Sequence, residues 1–246
     1  MKKKYSYAGL AVIIIIFGII VMPKIVDRMN NGEVVEGDRL NKEGSKRPAK
    51  ESPEVGYLEL NGKKRKAPEF EFIDQHGDTI TNKDYLGKVY VVEFFFTTCP
   101  TICPIMSENL VEVQDELKEF QDDFGVASFS IDPEHDTPEV LAEYADHYGI
   151  TNPNWHLLTG EKDKIYELAN AGFQTYAGED PDVQGGFVHS GMFALIDKDG
   201  YIRSRKDKFG NPLIYYRGFV KRNKSVLDGE EEPQIDMLIE DIKTLL

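Results

Sequence analysis

The chain has 246 residues, with 29 Lys and Arg against 43 Asp and Glu, and only two cysteines. That length suits one well-buried domain with a tail and is short for two full domains, while two cysteines cannot build a disulfide framework, so stability must come from a core. Charge divides unevenly: residues 1–66 carry 14 basic and 8 acidic residues, a net +6, whereas 67–246 carry 15 against 35, a net −20; a domain that acidic repels phosphate backbones, which argues against nucleic acid as a partner.

Lys2, Lys3 and Lys4 precede residues 5–22, a stretch of 18 residues with no charge. About 18 apolar residues is the lower end of what spans a bilayer as a helix, and lysines ahead of it favour a cytoplasmic start. A cleaved signal peptide competes, but VMPKIVDR supplies no small-residue exit site and no cysteine stands there to take a lipid. A transit peptide would be amphipathic and arginine-rich, and this segment is neither. The expectation is a cytoplasmic tip and a single N-terminal transmembrane helix over residues 1–22, in a bacterial inner membrane, with the rest of the chain on the periplasmic side. Residues 23–66 are polar and lack a sustained hydrophobic period, so they read as a flexible linker, with YLELNG (57–62) offering a short strand.

The pattern changes at Pro68. FEFIDQHGDTIT predicts a hairpin turning at His76-Gly77-Asp78, and GKVYVVEFFF predicts a strand covered on both faces. Ile105, Leu110, Val113, Leu117 and Phe120 then recur at helical spacing. VASFSI reads as a second buried strand. DTPEVLAEYADHYG follows as a helix with Thr137 as N-cap, Pro138 in the first position and Gly149 at its end. WHLLTG is a third strand, KDKIYELANAG a helix, GMFALIDKDGYIRSR a hairpin over Asp199-Gly200, and PQIDMLIEDIKTLL an amphipathic closing helix. Alternating strands and helices followed by a hairpin make an α/β domain over residues 67–246, a parallel core with an antiparallel extension, which is the thioredoxin-like fold with insertions. Residues 172–186 and 206–225 fall outside this core pattern and read as solvated loops or partner surfaces.

Cys99 and Cys103 fall between the first core strand and its helix, where open α/β sheets place their sites. The spacing C-x-x-x-C is one residue longer than the redox C-x-x-C pair. In a helical turn, residues four apart project to one side, so both sulfurs can face one point. Pro100 suits a helix start, and Pro104 requires Cys103 to lie in the first turn or a loop. A helix N-terminus favours thiolate over thiol, and a thiolate pair is both an electron donor and a ligand for a soft metal. The plain alternative is a buried structural pair, although free thiols outside the cytoplasm risk oxidation. Peroxide reduction does not fit: Val92 and Phe96 stand where that chemistry needs a proline and a hydroxyl residue.

Two sulfurs hold Cu(I) incompletely, so a third donor is expected from a loop. His76, His147 and His156 lie where surface or half-buried histidines are ordinary, and His135, in DPEHD, is a modest candidate. His189 ends the glycine-rich segment DPDVQGGFVHS just before a strand, and Gly185-Gly186 gives that loop mobility.

TCPTICP, SIDPEHDTPEVL, NWHLLTG and FVHS run in the order seen in the Sco/SenC copper chaperones, and the chain resembles that family from Pro68 onward. The resemblance implies a membrane-anchored thioredoxin-fold protein that helps to assemble the dinuclear copper centre of cytochrome c oxidase. Its implied metal ligands are Cys99, Cys103 and His189, a set that suits Cu(I) through sulfur and Cu(II) through nitrogen. Oxidation of the cysteines to a disulfide would exclude the metal. The implied partners are the copper-site subunit of the oxidase, other copper carriers and thiol reductants. Asp132 and Asp136 match the family's DPE-x-D loop and read as groups that shape it. One departure stands out: Val188 occupies the place before the histidine where the family often has an acidic residue, which bears on affinity. The leading reading is a copper metallochaperone rather than an enzyme. The alternative is a thiol–disulfide oxidoreductase that reduces the target's cysteines, and a redox or copper sensor is compatible with the same residues.

Overall fold

Seven consecutive residues, VYVVEFF, are all buried, and this strand is the axis of the fold. The computed structural model describes residues 54–206, 212–224 and 231–246, together with Phe17. The membrane-spanning segment expected at residues 5–22 lies, apart from Phe17, outside the described residues; among those described, no helix is long and apolar enough to cross a membrane.

The strands β1 (Val55–Tyr57), β2 (Glu59–Leu60), β3 (Lys63–Lys64), β4 (Glu71–Asp74) and β5 (Thr79–Thr81) lead into the central alternation. That alternation runs β6 (Val89–Phe95), α1 (Cys103–Glu116), β7 (Phe124–Ser130), α2 (Pro138–Tyr148), β8 (Trp155–Thr159) and α3 (Lys162–Glu167). The chain continues through β9 (Ala177–Glu179), β10 (Phe187–His189), β11 (Met192–Ile196), β12 (Ile202–Arg205), β13 (Tyr216–Arg217) and α4 (Ile235–Leu245).

The large sheet has the order β1-β12-β11-β6-β7-β8-β4-β5, with β13 also paired to β11. β6, β7 and β8 are parallel, with Val92 opposite Ala127 and Ala127 opposite His156. β11 returns antiparallel, placing Ala194 opposite Val92. A strand between two parallel or antiparallel neighbours, with helices on its faces, has no solvent side, which is why β6 and β7 are continuous apolar runs. The parallel core with an antiparallel extension is thus present as the element pattern predicts.

Several ends follow from local chemistry. The Thr137 hydroxyl accepts the Val140 N–H at 3.4 Å, Pro138 opens α2, and Gly149 closes it at φ 74°. In the first hairpin, the Asp74 carboxylate accepts the N–H groups of His76 and Asp78 at 2.9 Å each. Ordered strands begin ahead of residue 67: Gly56 lies opposite Ser204 on the edge of the large sheet, inside the stretch read as linker.

Three features differ from the sequence reading. α1 starts at Cys103, not at Pro100, because Pro104 occupies one of its first positions while residues 100–102 form bends ahead of it. The helix after β8 is only six residues long and passes into a π-helical turn, Leu168–Phe173, that ends on Gln174 at φ 56°. Residues 212–220 are not a solvated loop: Tyr215, Tyr216 and Val220 are buried, and the Asn109 side chain donates to the carbonyls of Gly218 and Val220 at 2.8 and 2.9 Å.

Candidate metal centre

Strand β6 ends with Phe94 and Phe95 in the core, Phe96 follows it buried, and the chain is then turned outward at Thr97 by Asp136. This fully buried carboxylate accepts the Thr97 N–H at 3.0 Å, the Thr97 hydroxyl at 2.5 Å and the Ser130 hydroxyl at 2.5 Å. His135 Nδ1 lies 2.9 Å from its other side. The DPEHD loop therefore fastens the chain two residues before Cys99. Asp132 shapes the same loop through its backbone, its carbonyl accepting the His135 and Asp136 N–H groups at 3.1 and 2.9 Å.

Cys99 and Cys103 are both buried and both free thiols. The first N–H groups of a helix have no partner inside it, and the Cys103 N–H points at the Cys99 sulfur, 3.5 Å away. Cys99 is thus not on the helix but caps it. Its thiol is held well below the usual range by a hydrogen bond from the Cys103 thiol, aided by His189 and by backbone N–H groups of Cys103 and Thr101, all working against burial. The Cys103 thiol is pushed up, first by burial and then by its neighbour Cys99. The pair holds one negative charge readily, on Cys99, and the second proton leaves only when something positive replaces it.

That something has a third donor ready. His189 is the last residue of β10, which pairs with β9 in a two-stranded ribbon, His189 opposite Ala177. Its Nε2 lies 3.2 Å from the Cys103 sulfur, and the Phe96 ring meets the imidazole edge-to-face at 6.0 Å. The β9–β10 connection folds back through Gly185 and Gly186, at φ 96° and 79°. A Cβ on Gly185 would lie 3.1 Å from the Pro100 ring, so this turn packs directly on the cysteine loop.

The two sulfurs and one ring nitrogen lie within 4.8 Å of one another. Metal bonds of about 2.0–2.3 Å place three trigonal donors about 3.8 Å apart, so small side-chain movements would suffice to hold one ion. Among the described residues this is the one cluster of its kind. A cavity of about 210 Å³ opens beside it, lined by Phe96, Thr101, Ile102, Val183, Phe187 and Val188 among others. The other histidines do not join: His135 is engaged with Asp136, and His156 Nδ1 lies 2.8 Å from Asp74. All three residues expected from sequence are brought together.

A model of the SCO1/SenC family matches residues 59–217. The chain belongs to the SCO1/SenC family. A SCO1 protein homolog of Bacillus subtilis (strain 168) is 34% identical over 134 residues, 54% of this chain and 69% of that protein. A SCO1/SenC family lipoprotein from Bacillus anthracis str. Ames has a similar solved structure, TM-score 0.60 at 30% identity, over 73% of this chain and 94% of that one. BsSco, described as a member of the Sco family of cytochrome c oxidase assembly proteins with a disulfide switch, gives TM-score 0.57 at 29% identity, covering 73% and 92%. Yeast Sco1 with copper bound gives TM-score 0.52 at 25% identity, covering 73% and 90%. The mixed α/β fold of this SCO1/SenC chain is therefore the Sco thioredoxin-like one.

Sequence reasoning missed one residue of this SCO1/SenC site and a buried acid in the strand that leads to it. Phe96 was legible only as strand, yet its ring backs both His189 and Phe187. Glu93, inside the same apolar run, is 2% exposed; its Oε1 accepts the Ser128 hydroxyl at 2.7 Å and its Oε2 has no partner. A lone acid in a seven-residue buried strand was the available signal.

Proposed function

We propose that this chain is a copper-binding metallochaperone that delivers copper to, or prepares, the dinuclear copper site of cytochrome c oxidase. The observation that carries the reading is the meeting of Cys99, Cys103 and His189 with their donor atoms within 4.8 Å. Two sulfurs and an imidazole suit Cu(I) and tolerate Cu(II), so one site can hold the cargo in either state. The ease with which Cys99 ionises gives an incoming cation its first anchor, and the cation then replaces the Cys103 proton. The copper found in yeast Sco1 and the oxidase-assembly role stated for BsSco support the assignment. The apolar residues 5–22 supply an anchor, the polar stretch from residue 23 to the first strand at Val55 a tether, and the chain from there on the copper-binding domain, held on the outer face of a bacterial inner membrane near a membrane-bound recipient.

One observation favours a second reading. Cys99 is the more acidic and Cys103 the more buried thiol, the asymmetry that thiol–disulfide exchange uses. In that reaction the Cys99 thiolate attacks a target disulfide, one target sulfur leaves as a thiolate, and Cys103 resolves the mixed disulfide; the chain ends oxidised and the target gains two thiols.

The discriminating experiment is a copper titration of the purified, reduced full chain, with spectroscopy for sulfur and nitrogen ligation. About one copper per chain is expected, lost on replacing either cysteine and steeply weakened on replacing His189. Unchanged binding in His189→Ala would remove the imidazole from the site, and restoration of oxidase assembly by His189→Ala would favour the oxidoreductase.

A further inference from the structure

The ribbon that carries His189 is not part of the large sheet. Its polar attachments to other elements, among the described residues, are few. One is the contact of His189 with the cysteine pair itself, and a second is Lys162, which pairs with the half-exposed Glu179 and lies 5.8 Å from the Phe187 ring centroid. Exposed ion pairs of this kind contribute about 0–1 kcal/mol. The third comes from Asn170. Its side-chain N–H donates to the Ala177 carbonyl at 2.8 Å, and its side-chain oxygen accepts the Ala177 N–H at 3.1 Å.

Ala177 is the residue directly opposite His189 in the ladder, and the adjacent Ser190 N–H donates to the Tyr176 carbonyl at 3.0 Å. A carboxamide that grips both backbone groups of one residue fixes that residue in two directions, as a neighbouring strand would. Asn170 can do this because of the π-helical turn Leu168–Phe173. The wide turn and the left-handed Gln174 reverse the chain, and the Ala169 carbonyl locks the reversal by accepting both the Thr175 N–H at 3.0 Å and the Thr175 hydroxyl at 3.2 Å. The turn is itself held in the core by buried Ala169 and Phe173, and the Tyr215 hydroxyl donates to the Phe173 carbonyl. Turns with one extra residue recur at functional positions.

We infer that Asn170 is a positioning residue for the His189 imidazole, clamping β9 and, through the β9–β10 ladder, setting where the ring stands over the cysteine pair. Asn170 touches neither the sulfurs nor the imidazole. It acts by removing the freedom of the ribbon to slide or lift, and metal ligands held loosely by about 1 Å lose much of their affinity.

The inference rests on the copper reading, and a double-mutant cycle separates the two. Copper affinity of the reduced full chain is measured by chelator competition, and nitrogen coupling by electron paramagnetic resonance of the Cu(II) form, for the wild type, Asn170→Ala, His189→Ala and the double variant. Asn170→Ala is expected to weaken copper about 10-fold and to alter the nitrogen coupling, and to have no effect once His189 is already gone. An equal loss in both backgrounds, or intact affinity and coupling in Asn170→Ala, would overturn the inference while leaving the copper site standing. No copper on the wild type would overturn the copper reading itself, whereas full binding by His189→Ala would remove the imidazole from the site and the inference with it. Should Asn170→Ala not fold, Asn170→Asp, which keeps the acceptor for the Ala177 N–H, is taken through the same cycle with an intermediate effect expected and the same outcomes decisive.

Discussion

The Cys103 sulfur and His189 Nε2 lie 3.2 Å apart, although 86 positions separate them in the chain. One sits at the start of a helix that leaves the central strand, the other at the end of a ribbon built from the segment between α3 and β11. Their contact joins the thiol chemistry of the first half to a nitrogen donor from the second, and the consequences can be measured.

Thiol reactivity should divide between the two cysteines. Cys99 lies below the usual thiol range, so its thiolate is populated at pH values where an ordinary cysteine is protonated, while Cys103 keeps its proton. Alkylation at pH 6 followed by peptide mapping should label Cys99 well ahead of Cys103. His189→Ala removes one of the hydrogen bonds that hold Cys99 down, so the onset of labelling should move to higher pH. Equal labelling of both cysteines in the wild type would count against the asymmetry.

Glu93 should make stability fall as pH rises. Burial, partly offset by the Ser128 hydroxyl, pushes its carboxyl from 4.5 up to about 7. Below pH 4.5 both folded and unfolded chains keep the proton and nothing is lost. Between there and pH 7 the unfolded chain releases it while the folded one does not, which removes about 3 kcal/mol of stability. Urea unfolding of Glu93→Gln should lack this slope and give a more stable protein at pH 8. A slope unchanged from the wild type would assign it to other groups.

Asp136 should be among the residues least tolerant of change. Asp136→Ala leaves the Thr97 N–H and the Thr97 and Ser130 hydroxyls without their shared acceptor. A cost of about 2–4 kcal/mol in denaturant unfolding is expected, together with copper binding weakened about 10-fold as the cysteine loop loosens. Retention of wild-type affinity would show that the loop needs no such anchor.

Gly185→Ala tests the turn of the ribbon. At φ 96°, with Pro100 and Phe96 atoms 3.1–3.2 Å from the added carbon, the substitution is strained twice over. The left-handed backbone alone costs about 1–2 kcal/mol. Because the strain falls on the ribbon rather than the sheet, copper affinity should drop more than the unfolding midpoint does. The reverse order would place Gly185 in the stability core.

Local signals were strong wherever one residue type has one use. Thr137, Pro138 and Gly149 bound a helix because only those groups cap, start and end it there, and the apolar run of β6 announced a strand buried on both faces. The start of α1 was less legible, since a proline on each side of Ile102 allows either beginning, and packing placed the first turn at Cys103. The π-helical turn was invisible, because Ile165, Leu168, Ala169 and Phe173 are equally consistent with a regular helix.

The sequence by itself determined the order of strands and helices, the thiol pair at a strand–helix junction and a short list of candidate nitrogen donors, because these depend on neighbours a few residues apart. Which histidine reaches the sulfurs was decided by the tertiary structure. Periodicity cannot say that residues 177–179 pair with 187–189 rather than join the large sheet, nor that an asparagine on a widened turn fastens them. Such contacts lie between segments whose separation along the chain carries no signal of their closeness in space.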